Sequence, residues 1–290
     1  WAALLCAPSA QATLAPFCSA DPVITASQQD RLFRFGAVVK QTLADSGQRI
    51  ALIARSGTDL SRFGVRYSHA GLSLQANPAA PWAVRQLYYA CDEQQPRLFD
   101  QGMSGFVLGG SNPDLGFVSL VFLPTAQAEP LARAALDNPL ALQLLGASYS
   151  ANAYPFSANY QNCNQWVAEL LATAWNPPAT TDNPRLAAQR WLQEAGYTPT
   201  VFEAGNPVTM WVSALLPLLH RDDHPADDLA AWHYRVSTPR AIESFVRGRV
   251  DGVRRVELCH TPSHVVVRQG WAPLPDDCTP GPGDQVVPLD

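Results

Sequence analysis

The stretch Asn159–Trp175, NYQNCNQWVAELLATAW, holds a single cysteine. Trp166, Val167, Leu170 and Leu171 recur at the three-and-four spacing of an apolar helix face, and Asn162 is of the type that caps a helix N-terminus. A helix is therefore expected to open at or near Cys163. Three readings of that cysteine follow: a buried core thiol, half of a disulfide, or a nucleophile. A thiol attacks as its thiolate, and a helix N-terminus favours the thiolate by offering oriented N–H groups and the positive end of the dipole.

Working outward, the first test is the cysteine count. The opening WAALLCAPSAQA has the apolar body of a secretory signal peptide and ends in Ala10-Gln11-Ala12, small residues at the spacing that signal peptidase accepts. Residues 1–12 are read as that signal, which points to a periplasmic or secreted protein. Leu5 before Cys6 is too large for the usual lipobox. Without Cys6 there remain Cys18, Cys91, Cys163, Cys259 and Cys278, an odd number, so in an oxidising compartment four pair and one stays free. Four cysteines allow three connectivities. Cys259 and Cys278 lie close together in a Pro/Gly-rich tail, and if they pair, Cys18 and Cys91 form the second bridge.

Bulk properties narrow the function classes. Of the 290 residues, 47% are apolar and 16% charged, enough to bury a sizeable core. A net charge of -5 argues against a nucleic-acid partner. No apolar run approaches the length of a spanning helix; the longest candidate, MWVSALLPLLH, is too short.

Helices are expected over residues 27–45, over QAEPLARAALDNPLALQLLG with Pro130 in its first turn, over RLAAQRWLQEAG, over PVTMWVSALLPLLH, and over STPRAIESFVRG behind a Ser237 or Thr238 cap. RIALIARSG, VRYSHAGLSLQ, WAVRQLYYAC and GFVSLVFLP read as strands, and VRRVELCH with SHVVVRQGW as a closing hairpin. The segment DQGMSGFVLGG reads as a flexible flap. These elements divide into a main domain over 13–205 and a C-terminal α/β extension over 206–290 packed on it.

A thiolate nucleophile needs a base, usually histidine, and a group to orient the imidazole. His69, in RYSHAGLSL, is the histidine on a strand of the main domain. Alternation sets His69, Gly71 and Ser73 on one face, and Gly71 leaves room beside the ring. If the next strand returns antiparallel, Gln86 or Tyr88 comes opposite His69.

SHAGL on a strand followed by NCNQWV opening a helix resembles the circularly permuted NlpC-type branch of the papain-like thiol hydrolases, which includes relatives of lecithin–retinol acyltransferase. In that branch the histidine strand precedes the cysteine helix, as here. The resemblance spans roughly residues 48–175. It implies an α+β fold with an antiparallel sheet packed against helices. It also implies Cys163 as nucleophile, His69 as base and Gln86 as orienter, where many relatives carry histidine or an acid. The Cys163 N–H, helped by Tyr160 or Gln161, would then stabilise the oxyanion. The whole chain also resembles a family of uncharacterised secreted bacterial proteins.

The expected activity is an exported cysteine hydrolase or acyltransferase acting on an amide, ester or thioester, with a cell-envelope peptide or lipid-type substrate and no cofactor. The alternative is a non-catalytic periplasmic binding or assembly protein that keeps the fold. Metal chemistry competes weakly: His220 and His224 with Asp222 and Asp223, and His260 with His264, have chelating spacings, but Pro225 and Pro262 keep both off helices. No metal site is assigned.

Overall fold

The structure, a computed structural model, describes Cys18 and residues 24–177, 183–205 and 218–289. The signal segment, most of the leader after it and the PVTMWVSALLP part of the expected apolar helix lie outside the described residues. The chain folds as a mixed α+β protein built on a large antiparallel sheet.

Strand β1 (Ile50–Arg55) has no exposed position. Ile50, Leu52 and Ala54 belong to one core, Ala51 and Ile53 to another, so the strand is covered on both faces. That is why IALIA is apolar at every position instead of alternating. β2 (His69–Leu74) and β5 (Gly116–Phe122) flank it, both antiparallel. Outside β2 come β3 (Ala83–Ala90) and then β4 (Gln95–Gln101). Outside β5 come β8 (Arg254–His260), β9 (His264–Gln269) and β10 (Gln285–Pro288), completing eight strands in the order β10-β9-β8-β5-β1-β2-β3-β4. The segment expected as an extension thus supplies three strands of the central sheet through the β5–β8 pairing. A separate pair, β6 (Thr200–Glu203) and β7 (His233–Val236), lies outside it.

Helices cover both faces. α1 (Ala26–Asp45), with Phe35, Val39 and Leu43, and α2 (Met103–Leu108), with Met103, Phe106 and Val107, cover one side. α3 (Thr125–Leu136), α5 (Cys163–Trp175), α6 (Pro184–Glu194) and α8 (Pro239–Arg249) cover the other. A short α4 (Asn138–Gln143) follows α3, and a five-residue α7 (Ala226–Ala230) precedes β7.

Three expectations are corrected. The single helix over 127–146 is two helices, because Asp137 turns extended and caps α4 through the Leu140 N–H ahead of Pro139; Pro130 sits inside α3, not in its first turn. The expected flap is α2, packed through a fully buried Phe106. And β4 was not anticipated, since Pro96 and the charged Arg97 and Asp100 are features of an edge strand.

The cysteines pair as Cys18–Cys91, 73 residues apart, and Cys259–Cys278, 19 apart, and Cys163 is a free buried thiol. No helix among the described residues is long and apolar enough to cross a membrane.

The β2–β3 register fixes the surroundings of His69. Leu72 lies opposite Arg85, so the ladder brings Gly71 beside Gln86. A Cβ on Gly71 would stand 2.6 Å from Val84 Cγ1, 2.9 Å from the Arg85 carbonyl oxygen and 3.2 Å from Gln86 Cβ. The room expected beside the imidazole is therefore taken by β3. Gly71→Ala is expected to destabilise the fold by about 1–3 kcal/mol, the usual cost of overpacking, as read by chemical denaturation. Replacing Cys259 and Cys278 together by serine is expected to cost about 3 kcal/mol from the entropy of a loop of that length, by the same measurement.

Candidate functional site

Cys163 is the first residue of α5. Asn162 is its extended N-cap, whose side-chain oxygen accepts from the Gln165 N–H at 2.7 Å. The Nδ2 groups of Asn162 and Asn164 both reach the Ser237 carbonyl, at 3.3 and 3.2 Å, and that of Asn164 also reaches the Ser68 carbonyl at 3.2 Å. These amides pin the helix start to the entry of β2 and to the cap of α8. The backbone N–H groups of Asn164, Ala70 and Cys163 itself favour the thiolate at this position.

Those donors and the positive charge of Arg55 favour the thiolate, but burial acts more strongly. With Cys163 only 7% exposed, its pKa is pushed up to about 11. Tyr149 lies near the thiol, and burial raises its phenol first, with the charges of Cys163 and Tyr88 adding to it.

His69 opens β2 opposite Arg55 on β1. Its Nε2 meets Gln86 Oε1 at 2.6 Å, and Gln86 Nε2 donates to Gln101 Oε1 at 2.6 Å. Because the Gln86 amide nitrogen is occupied in that second bond, its oxygen accepts, so His69 Nε2 carries the hydrogen and Nδ1 holds the free lone pair. Of the two expected partners of the ring, Gln86 takes the bond. Tyr88 packs its own ring 5.0 Å from the imidazole and accepts from Arg55 through its hydroxyl at 2.7 Å. Burial, then the Arg55 charge, lowers the His69 pKa to about 3 against the pull of Gln86. Thiol and imidazole are both neutral near pH 7.

The two groups share one end of the sheet without touching through a hydrogen bond. Alternation along β2 sends Ala70, Leu72 and Leu74 into the core that holds Cys163 and Trp166. The His69 ring instead faces Tyr88 and, at 6.2 Å, Phe106 of α2. Among the described residues no side-chain hydrogen bond joins Sγ to the imidazole.

Tyr160 and Gln161 are not brought to the sulfur. Gln161 Nε2 donates to the Leu144 carbonyl and to Glu169, its Oε1 accepts from the Gly146 N–H, and its own N–H binds the Ser148 carbonyl, which leaves no donor for an oxyanion. Tyr160 stacks on His220 with ring centres 4.2 Å apart and donates to Asp222 at 3.0 Å. Arg55 and Gln101 complete the site, and neither was singled out in advance; an arginine closing an otherwise apolar strand was the available signal for the first.

The candidate metal ligands are engaged elsewhere. His224 bonds the Asn152 carbonyl at 2.8 Å, and Asp223 accepts from the Tyr154 N–H at 2.9 Å. No group of three or more potential ligands converges among the described residues.

The two neutral groups set a pH window for stability. His69 binds its proton in the unfolded chain near pH 6.5 but only near 3 when folded, so stability is complete above 6.5 and is lost as pH falls toward 3. Cys163 does the reverse: its stability is complete below its ordinary value of 9.0 and is lost as pH rises toward 11. Each group is expected to contribute a slope of up to about 1.4 kcal/mol per pH unit within its window. Denaturation midpoints across pH should lose the acid limb in His69→Gln and the alkaline limb in Cys163→Ser.

The model of one family, described as "Uncharacterized protein conserved in bacteria (DUF2145)", matches residues 42–246, more than half of the chain. No curated protein and no solved structure matches. Cys163, His69, Gln86 and Arg55 all fall inside the matched span, and the chain belongs to this bacterial family, DUF2145.

Proposed function

We propose that this protein is an exported thiol hydrolase or acyltransferase, with a permuted papain-like arrangement of His69, Gln86 and Cys163 in chain order. The observation that carries the reading is the free thiol on the first residue of a side-chain-capped helix, where backbone N–H groups favour the thiolate. Those groups are what a thiolate, and afterwards an oxyanion, require. The His69–Gln86 bond supports it by leaving Nδ1 as the ring's proton acceptor. Two disulfides in a bacterial chain agree with export.

In this mechanism, entry of an acyl compound aligns thiol and imidazole. The Sγ proton passes to His69 Nδ1 and sulfur attacks the carbonyl carbon. The bond to the amine, alcohol or thiol leaving group then breaks, and that group departs with the proton from His69. Water, or a second acceptor, gives its proton to His69 and attacks the thioester, releasing the acyl product and restoring the thiol. Both groups are neutral at rest, so the proton transfer creates a thiolate–imidazolium pair, which the backbone N–H groups that favour the thiolate must help to stabilise against burial.

A second reading, a non-catalytic binding or assembly protein on the same scaffold, is favoured by one observation: the thiol is 7% exposed and has no hydrogen bond to the imidazole. Iodoacetamide labelling at pH 7 separates the two. The hydrolase reading expects modification of Cys163 that slows by about a hundred-fold in His69→Ala, the lower end of a general-base contribution, and more mildly in Gln86→Ala. Labelling that ignores His69 would leave the binding reading standing.

A further inference from the structure

Four arginines are almost sealed from water: Arg55, Arg85, Arg185 and Arg255 are 5–6% exposed. Three of them sit on carboxylates. Arg85 meets Asp100 at 2.6 Å, Arg185 meets Glu169 at 2.9 Å, and Arg255 meets Glu257 at 3.1 Å and Glu243 at 3.4 Å. Arg55 has no carboxylate partner among the described residues. Its guanidinium donates to the carbonyls of Ser56 and Gly109 and to the Tyr88 hydroxyl, and it lies over the Phe106 ring at 5.4 Å. Its Nε is buried with no partner at all.

The neighbourhood leaves room for this charge. A Cβ on Gly57 would stand 2.8 Å from one terminal nitrogen, and one on Gly109 would stand 2.5 Å from the other. Two glycines thus clear the space that the guanidinium occupies. Neutral acceptors satisfy hydrogen bonds but do not balance a cation, and a buried charge normally persists only when something does. Neither neighbour that feels its field supplies the balance, because the thiol of Cys163 and the imidazole of His69 are both uncharged at rest. Arg55 also faces His69 across the β1–β2 ladder, at the end of the sheet where Cys163 lies.

We infer that Arg55 is the recognition site for a carboxylate carried by the acyl compound that Cys163 attacks, so that the missing counter-charge arrives with the substrate. A planar fork with one nitrogen unengaged suits a carboxylate better than a point cation would. This deepens the hydrolase reading and rests on it for the role of Cys163. It selects, among acyl compounds, those with a free acid close to the bond broken.

The test compares alkylation of Cys163 by iodoacetate and by iodoacetamide, reagents of nearly equal size that differ in carrying a carboxylate or an amide. A change in thiol ionisation scales both rates alike, so their ratio reports recognition of the acid. In Arg55→Gln the iodoacetate-to-iodoacetamide ratio is expected to fall at least about ten-fold, the loss of one charge-assisted hydrogen bond. An unchanged ratio overturns the inference. His69→Ala runs beside it. A ratio that follows Arg55 while both rates ignore His69 keeps the carboxylate site and sinks the hydrolase reading; rates that follow His69 with a ratio indifferent to Arg55 do the opposite. If the closed site admits neither reagent, thermal midpoints decide. Arg185→Gln strands Glu169 and should lower the midpoint sharply, whereas Arg55→Gln removes an unbalanced charge and should lower it much less. An equal fall would make Arg55 structural and overturn the proposal.

Discussion

The carboxylate of Glu169, with no exposure to water, accepts hydrogen bonds from Gln161, Gln165, Gln189 and, through two nitrogens, Arg185. These donors come from the loop before α5, from α5 itself and from α6. Arg185 also donates to the carbonyls of Ala158 and Tyr160, and Gln161 to that of Leu144. One acid therefore fastens the long polar connection that delivers the chain to Asn162, and with it the cap that sets the direction of α5. Burial raises the pKa of Glu169 while Arg185 and the amides oppose it, so its proton balance depends on every partner staying in place. Removing one donor would strand the others, which is why such clusters cost more to break than their pairwise bonds suggest.

At the first residue of α5 the requirement is different. Cys163 and His69 are kept uncharged by burial, Arg55 is kept charged by its chemistry, and the three share one end of the sheet. Burial opposes the charged form of either group, while Gln86 and Gln101 hold the imidazole in one orientation through a continuous chain of hydrogen bonds.

Much of this was readable from local chemistry. The unbroken apolar run IALIA marks a strand covered on both faces, Thr238 before Pro239 marks the start of α8, and Asn162 marks that of α5. Pairing across the ANPAAP turn brought Gln86 to His69 because antiparallel register follows from strand length and turn. What was hidden depends on distant partners. Pro96 obscured β4, whose outer edge needs no second ladder. Gly71 reads as spare room beside a ring, yet it exists to admit Val84 and Gln86. Gln161 adjoins the site in sequence, but Glu169, eight residues on, claims its amide. Arg55 looks like the polar end of a strand, and only the absence of an acid around it among the described residues sets it apart.

The burial of Cys163 bears on a different hazard. A chain with two disulfides and a free thiol is exposed to thiol–disulfide exchange, in which any thiolate can attack an existing bridge and scramble it. Burial pushes the Cys163 pKa up to about 11, so the group stays a thiol near pH 7. The sulfur lies buried at the first residue of α5, and the four other described cysteines are already paired as Cys18–Cys91 and Cys259–Cys278. Burial at the helix start thus protects the bridges at rest: as the neutral thiol, Cys163 is a poor nucleophile toward either of them.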